Sequence, residues 1–234
     1  MCGGGGIRTH ETLASHCFPG SCHRPLGDTS LSDTTSVIVS SLWYISPMHI
    51  MLFGGAFDPP HNGHLDISHA IVEQKIADEI WFIPCATHPF GKKMSPVADR
   101  LALLRLADHV TINTHEIDSV QTSYTFDTIE HFATTQPQHR FSWLIGSDQL
   151  PSFTRWHRWE DLIENYSVYV YPRQDFPFDQ LQAGMITLKQ LPRITISSTM
   201  IRALVQKNAP IDHLVSPAVA SYIQEHHLYA TPTT

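Results

Sequence analysis

The sequence predicts a doubly wound α/β domain, a Rossmann-like parallel sheet with helices on both faces. Three observations carry that reading. From residue 48 onward, short β-branched or aromatic runs alternate with longer amphipathic stretches, the βαβ order of a parallel sheet with right-handed crossovers. RFSWLIG at 140–146 is almost continuously apolar, as suits a strand covered on both faces. The first strand runs into Gly54-Gly55 and then a helix start, and such sheets bind ligands beyond the carboxyl ends of their strands.

The elements follow in order. HIMLF (49–53) is the first strand, and GHLDISHAIVEQK (63–75) is a helix with Leu65, Ile67, Ala70 and Ile71 for its buried side. EIWFIPC (79–85) is the second strand. PVADRLALLRLAD (96–108) opens on Pro96, suited to a first helical turn, and VTINT (110–114) is the third strand. A helix from about residue 125 leads into the strand at 140–146. SVYVYPR (167–173) and MITLKQL (185–191) are further strands, followed by helices at 198–206 and 217–226.

Composition bounds the function. With 234 residues and 42% hydrophobic content the chain can bury one sizeable core. A formal net charge of −7 argues against a broad basic surface for nucleic acid, so a phosphate ligand would be small and gripped locally. No run of 18 or more apolar residues marks a membrane span, and the reading is a cytoplasmic protein. Residues 1–47 are rich in Gly, Ser, Thr, His and Cys and show no sustained period. They read as a disordered extension or a start codon assigned too far upstream, with one domain over 48–234 and Met48 as the expected biological start. SVIVSSLWYIS (36–46) lacks the basic flank and cleavage site of a signal peptide. Cys2, Cys17 and Cys22, with His10, His16 or His23, have no zinc-ligand spacing, and Cys85 alone makes no disulfide framework.

Two segments carry chemistry. In LFGGAFDPPHNGHL, Gly54 and Gly55 would let a ligand approach the backbone, while the following helix directs unpaired N–H groups at the same space. His61 and His64 would then donate hydrogen bonds to charge on phosphate oxygens. Metal ligation by this pair is the weaker reading, since no further Cys or carboxylate completes a ligand set. In ITISSTMIRALV, Ser197-Ser198-Thr199 would cap a helix that carries Arg202 one turn in. Singly each is an ordinary turn or cap. Together they make two anion sites able to hold a triphosphate between them.

GGAFDPPHNGHL with ISSTMIR resembles the nucleotidyltransferase α/β superfamily, and residues 48–230 resemble its bacterial nicotinate-nucleotide adenylyltransferases. SYTFDT (123–128), LIGSDQL (144–150), FTRWHRWEDLI (153–163) and LVSPAVASYIQEHHLY (214–229) carry the narrower likeness. The resemblance implies adenylyl transfer from ATP to nicotinate mononucleotide, giving deamido-NAD and pyrophosphate. It places Gly54, Gly55 and the Ala56 backbone against the nucleotide, and His61, His64, Ser197, Ser198, Thr199 and Arg202 on the ATP phosphates. His61, His64 and Arg202 would be catalytic. Gly146 and Asp148 would meet the adenosine ribose, and Asp148 would help align the mononucleotide; the alternative for Asp148 is an N-cap. Trp156 would stack on the pyridine ring, amides near Tyr124 and Thr125 would receive its carboxylate, and Lys93 would contact the mononucleotide. Trp159 reads as core packing. The attacking phosphate is already anionic, so no general base or covalent intermediate is needed, and Mg²⁺ would travel on the ATP phosphates with water completing its shell.

The chain departs from the family pattern in places. Ala56 stands where a hydroxyl residue is usual, and THPFGKKMSPVADR (87–100) replaces a Pro-Pro-His-Lys segment. There His88, Lys92, Lys93 and Arg100 are phosphate candidates, with Lys92 read as merely solvated. The sequence does not choose between nicotinate and nicotinamide mononucleotide, and oligomeric state is not readable. The rivals are a pantetheine-phosphate adenylyltransferase, which Trp156 and the SYT segment disfavour, and a non-catalytic nucleotide-binding regulator, which intact His61, His64 and Arg202 disfavour.

Overall fold

A computed structural model describes residues 46–87, 89–119 and 122–230. The expectations for the N-terminal segment up to residue 45 and for His88 lie outside those residues. The elements are β1 (His49–Gly55), α1 (Asn62–Glu73), β2 (Glu79–Pro84), α2 (Val97–Arg105), β3 (Thr111–Ile112), α3 (His115–Asp118), α4 (Thr125–Thr135), β4 (Arg140–Gly146), α5 (Leu150–Phe153), α6 (Trp159–Asn165), β5 (Ser167–Tyr171), β6 (Ile186–Thr187), α7 (Ser198–Gln206) and α8 (Pro217–Glu225). A single turn of 3₁₀ helix, Ser147–Gln149, joins β4 to α5.

All strand pairings are parallel, in the order β3-β2-β1-β4-β5-β6. The chain moves outward from β1 through β2 to β3, then returns to place β4 on the other side of β1. Strand order therefore reverses between β1 and β4, and a crevice opens beyond their carboxyl ends.

Strand alternation sorts the core into two layers. Met51 and Phe53 of β1, with Phe82, Leu144 and Tyr171, pack against Ile67 and Ile71 of α1. Ile50 and Leu52, with Trp143, Ile145 and Val170, pack against Phe126, Ile129 and Phe132 of α4 and Leu162 of α6. The helices thus cover both faces, as the sequence predicts. A third cluster joins Leu103 of α2 and Ile201 of α7 to Val219 and Ile223 of α8.

Differences from the sequence reading have local causes. The edge strands β3 and β6 are two residues each, shorter than the runs at 110–114 and 185–191 suggest, because each has a partner on one side only. Past them, single bonds from Asn113 N–H to the Phe82 carbonyl and from Leu188 N–H to the Val170 carbonyl prolong the contact. The stretch 150–165 forms two helices. Arg158 breaks it with φ +53°, held by an Nε bond to Asp161 of 2.6 Å and by its guanidinium lying 3.8 Å over the Phe126 ring.

Gly54 is where the sheet itself demands a missing side chain. A Cβ there would intrude on the Trp143 indole of the adjacent strand, so the space is filled by packing from β4. Gly54→Ala is expected to cost about 1–3 kcal/mol, the usual penalty for overpacking a filled core. Urea denaturation would register this as a lowered midpoint, and an unchanged midpoint would refute it.

Candidate functional site

A cavity of about 550 Å³ occupies the crevice beyond β1 and β4. The β1–α1 loop, the start of α4, the β4–α5 turn, the end of β5 and the start of α7 all reach it. The sequence-predicted residues Gly54, Gly55, Ala56, His61, His64, Tyr124, Thr125, Gly146, Asp148, Trp156, Ser197, Ser198, Thr199 and Arg202 all line it. Lys93 is not among its lining residues; its neighbour Lys92, read from sequence as merely solvated, is.

At one end the two motifs are stitched together. Arg202 Nη1 donates to the Asp58 carbonyl at 2.7 Å and Nη2 to Thr199 Oγ1 at 3.2 Å. Ser197 is the N-cap of α7, its Oγ accepting from Met200 N–H at 3.2 Å. Ser198 donates its hydroxyl to the Pro59 carbonyl at 2.8 Å, which leaves its N–H as the donor for a ligand. The segment Asp58-Pro59 thereby lies against the first turn of α7. Asp58, 4% exposed, also accepts from Tyr229 Oη at 2.8 Å and from Ser95 N–H at 3.0 Å.

The two histidines pack together, and a backbone bond sets the tautomer of one of them. His61 N–H donates to Nδ1 of His64 at 3.3 Å, and the two rings stack at 3.7 Å. With Nδ1 as acceptor, neutral His64 carries its proton on Nε2. Phe53 and Phe57 meet the His64 ring edge-on. Burial foremost, then the positive charge of Arg173, holds the His61 pKa down to about 3. Burial again, with His61 and Arg173 behind it, holds that of His64 well below its ordinary value. Both rings are neutral at physiological pH.

Arg173 is the residue that sequence reasoning missed. It follows β5, its Nη1 donates to the Ile196 carbonyl at 2.7 Å, and its Nε lies 3.6 Å from Asp148 Oδ1. Only the parallel pairing of β5 with β4 brings it beside the G-x-D turn. Asp148 lies inside the 3₁₀ turn, whose N-cap is Gly146, so it is not the cap that the alternative reading suggested. Its other oxygen accepts from Gln149 Nε2 at 3.2 Å.

Arg100 corrects another expectation. It is 1% exposed, and its guanidinium donates to the carbonyls of Ser95, Ala56 and Cys85 at 2.8–3.1 Å and of Ala86 at 3.4 Å. It braces the cavity wall and offers a phosphate nothing.

The other end is aromatic. Trp156 lies in the turn between α5 and α6 and packs on Phe153 at 5.2 Å. Trp159 meets Phe153 edge-on at 6.1 Å and joins the core, as predicted. Tyr124 and Thr125 begin α4, whose first N–H groups have no intrahelical partner. Arg155 and Phe90 also line the cavity, with the guanidinium 4.9 Å from the ring centroid. The chain is acidic overall, yet Lys92, Arg155, Arg173 and Arg202 converge here.

Residues 52–204 match the cytidylyltransferase-like family. The chain is 35% identical to the probable nicotinate-nucleotide adenylyltransferase of Methylacidiphilum infernorum, over 77% of this chain and 91% of that one. It is 36% identical to the protein of that name from Exiguobacterium sibiricum, over 79% of this chain and all of the other. This chain belongs to the nicotinate-nucleotide adenylyltransferases of the cytidylyltransferase-like family. Among solved structures, Plasmodium falciparum nicotinic acid mononucleotide adenylyltransferase complexed with NaAD superposes with a TM-score of 0.65 at 21% identity, over 77% of this chain and 97% of that one, which supports the fold.

The buried histidines carry a pH signature. The unfolded chain protonates them near the ordinary histidine value of 6.5, whereas folded His61 resists until about pH 3. Below pH 6.5 the unfolded state therefore binds more protons, and stability falls as pH drops through that window. Thermal melts of the ligand-free protein should show this decline, and His61→Asn should shallow it. An equal slope in the variant would contradict the assignment.

Proposed function

We propose that the chain transfers the adenylyl group of ATP to nicotinate mononucleotide, releasing pyrophosphate and forming deamido-NAD. One observation carries the reading: a single cavity joins the phosphate-donor end, His61, His64, Ser197–Thr199 and Arg202, to an end built from Trp156 and the start of α4. Two substrates laid across it would meet near Gly146 and Asp148.

In this reading the ATP triphosphate lies between the first turns of α1 and α7. Backbone N–H groups at the start of α7, His64 Nε2 and Arg202 donate to its oxygens, whereas at α1 the Asn62 and His64 N–H groups expected from the sequence to be unpaired already meet the Leu214 and His61 carbonyls. His61 and His64 act as donors and not as bases, which suits their neutral state, because the attacking phosphate is already anionic. Gly55 and the Ala56 backbone lie along the nucleotide, and Asp148 contacts ribose while Arg173 holds it in place. Trp156 stacks on the pyridine, and the N–H groups at Tyr124 and Thr125 receive its carboxylate. Catalysis is then alignment of two repelling phosphates and stabilisation of the charge on departing pyrophosphate.

The donor set suits a Mg²⁺ carried by the nucleotide. Both Asp58 oxygens and both Asp148 oxygens already face protein donors, and among the described residues no cluster of three His, Cys, Asp or Glu side chains is placed to hold a metal. Phosphate oxygens and water would supply its shell, and the ion would offset charge between the phosphates. Among the described residues no helix is long and apolar enough to cross a membrane, and the charged substrates fit work in the cytoplasm.

Incubation with Mg-ATP and each pyridine mononucleotide, followed by pyrophosphate detection, tests the reading; no release with either would defeat it. His64→Ala should lower kcat by about 10²–10³, the scale of losing one donor to transition-state charge. Full rate in that variant would overturn the donor role. Lys92→Ala should raise KM for the mononucleotide more than Lys93→Ala does, and steady-state kinetics showing the reverse would restore Lys93 as the contact.

A further inference from the structure

Glu116 is a carboxyl group where the fold has little reason to put one. It sits on α3, is 6% exposed, and lines both the nucleotide cavity and a smaller neighbouring cavity of about 270 Å³. Taking a carboxylate out of water is costly unless its oxygens are well bonded. Burial raises its pKa above the ordinary carboxylate range, against hydrogen bonds that pull it down.

Its partners are all on one segment. Thr128 Oγ1 donates to Glu116 Oε1 at 2.7 Å and lies 3.1 Å from the Tyr124 carbonyl, so the carboxyl reaches the first peptide of α4 through one hydroxyl. Ser123 bonds Glu116 as well, and its Oγ accepts from Ala86 N–H, just past β2, at 3.2 Å. The N-cap residue Tyr124 makes no side-chain cap for α4. Glu116 therefore grips the residues on either side of Tyr124-Thr125 and ties them to the sheet.

We propose that Glu116 is a positioning residue for the acceptor substrate, fixing Ser123-Tyr124-Thr125 so that the N–H groups at the start of α4 face the acceptor's anionic group. The inference rests on the adenylyl-transfer reading for the identity of that acceptor. Its core claim, that the carboxyl orders this segment, does not. ATP is held by α1 and α7, so loss of the anchor acts on one substrate only.

Glu116→Leu fills the space without the anchor, and Glu116→Gln keeps an acceptor for Thr128. With Glu116→Leu, KM for nicotinate mononucleotide should rise about tenfold, the equivalent of one hydrogen bond, while KM for ATP stays within about twofold. Glu116→Gln should recover most of the loss. Amide hydrogen exchange in the ligand-free protein should quicken across Ser123–Thr128 in Glu116→Leu and not at α7. If Glu116→Leu does not fold, Thr128→Val removes the same link and carries the same expectations. Equal changes in both KM values, or unchanged exchange at Ser123–Thr128, would overturn the proposal. Failure of the wild-type protein to release pyrophosphate would instead overturn the adenylyl-transfer reading, with the exchange result still deciding whether Glu116 orders the segment.

Discussion

The site depends on Asp58, where three distant segments converge on one buried residue. Its carbonyl receives Arg202 from α7, and its carboxylate receives Tyr229 beyond α8 and the Ser95 amide ahead of α2. A carboxylate this buried is tolerable only because each oxygen has a donor. The same bonds hold the β1–α1 loop in one place, with Phe57 beside it at φ +48°, a backbone conformation that a bulky residue adopts only when its surroundings compel it. With the loop fixed, the stacked His61–His64 pair and the start of α7 face one space.

The electrostatics of that space reconcile an acidic protein with an anionic ligand. A net charge of −7 would repel a nucleotide at long range, yet screening limits that field to about 8–10 Å at physiological salt. Inside the cavity the local donors decide. Two of the arginines there are pinned by carbonyls, Arg173 on Ile196 and Arg202 on Asp58. Carbonyls orient a guanidinium without cancelling its charge, so Arg202 keeps much of its field for a phosphate, while Asp148 offsets part of that of Arg173. Neutral histidines add directed N–H donors without further mutual repulsion among cations.

Much of this was legible in the sequence because it was local. β1, β2, β4, α1, α4 and α7 announced themselves by periodicity and caps, and the two motifs by glycine, histidine and serine at helix starts. What stayed hidden was set by tertiary contact. Arg173 has no motif around it and gains its place from the neighbour its strand pairs with. Arg100 looked like a free cation because burial against four carbonyls leaves no trace in a helical pattern. Lys92 and Lys93 differ by one position, and only the path of the loop decides which faces the cavity. Glu116 lies in a four-residue helix too short to read, and the break at Arg158 is a left-handed turn without glycine. The role of Gly54 also shifted: the sequence suggested room for a ligand, while the Trp143 indole already fills the space that a Cβ would take.

The bond from Tyr229 to Asp58 spans 171 positions. Chains are made from the amino terminus, and the sheet strands from β1 to β5 can pair while later residues are still being synthesised. The corner that joins the two motifs cannot close with them, because Tyr229 is made only after α8. A nascent chain stalled before α8 would carry both motifs and most of the sheet, yet would lack the clasp that sets their spacing. Closure of the corner therefore waits for residue 229, after every strand of the sheet has been made.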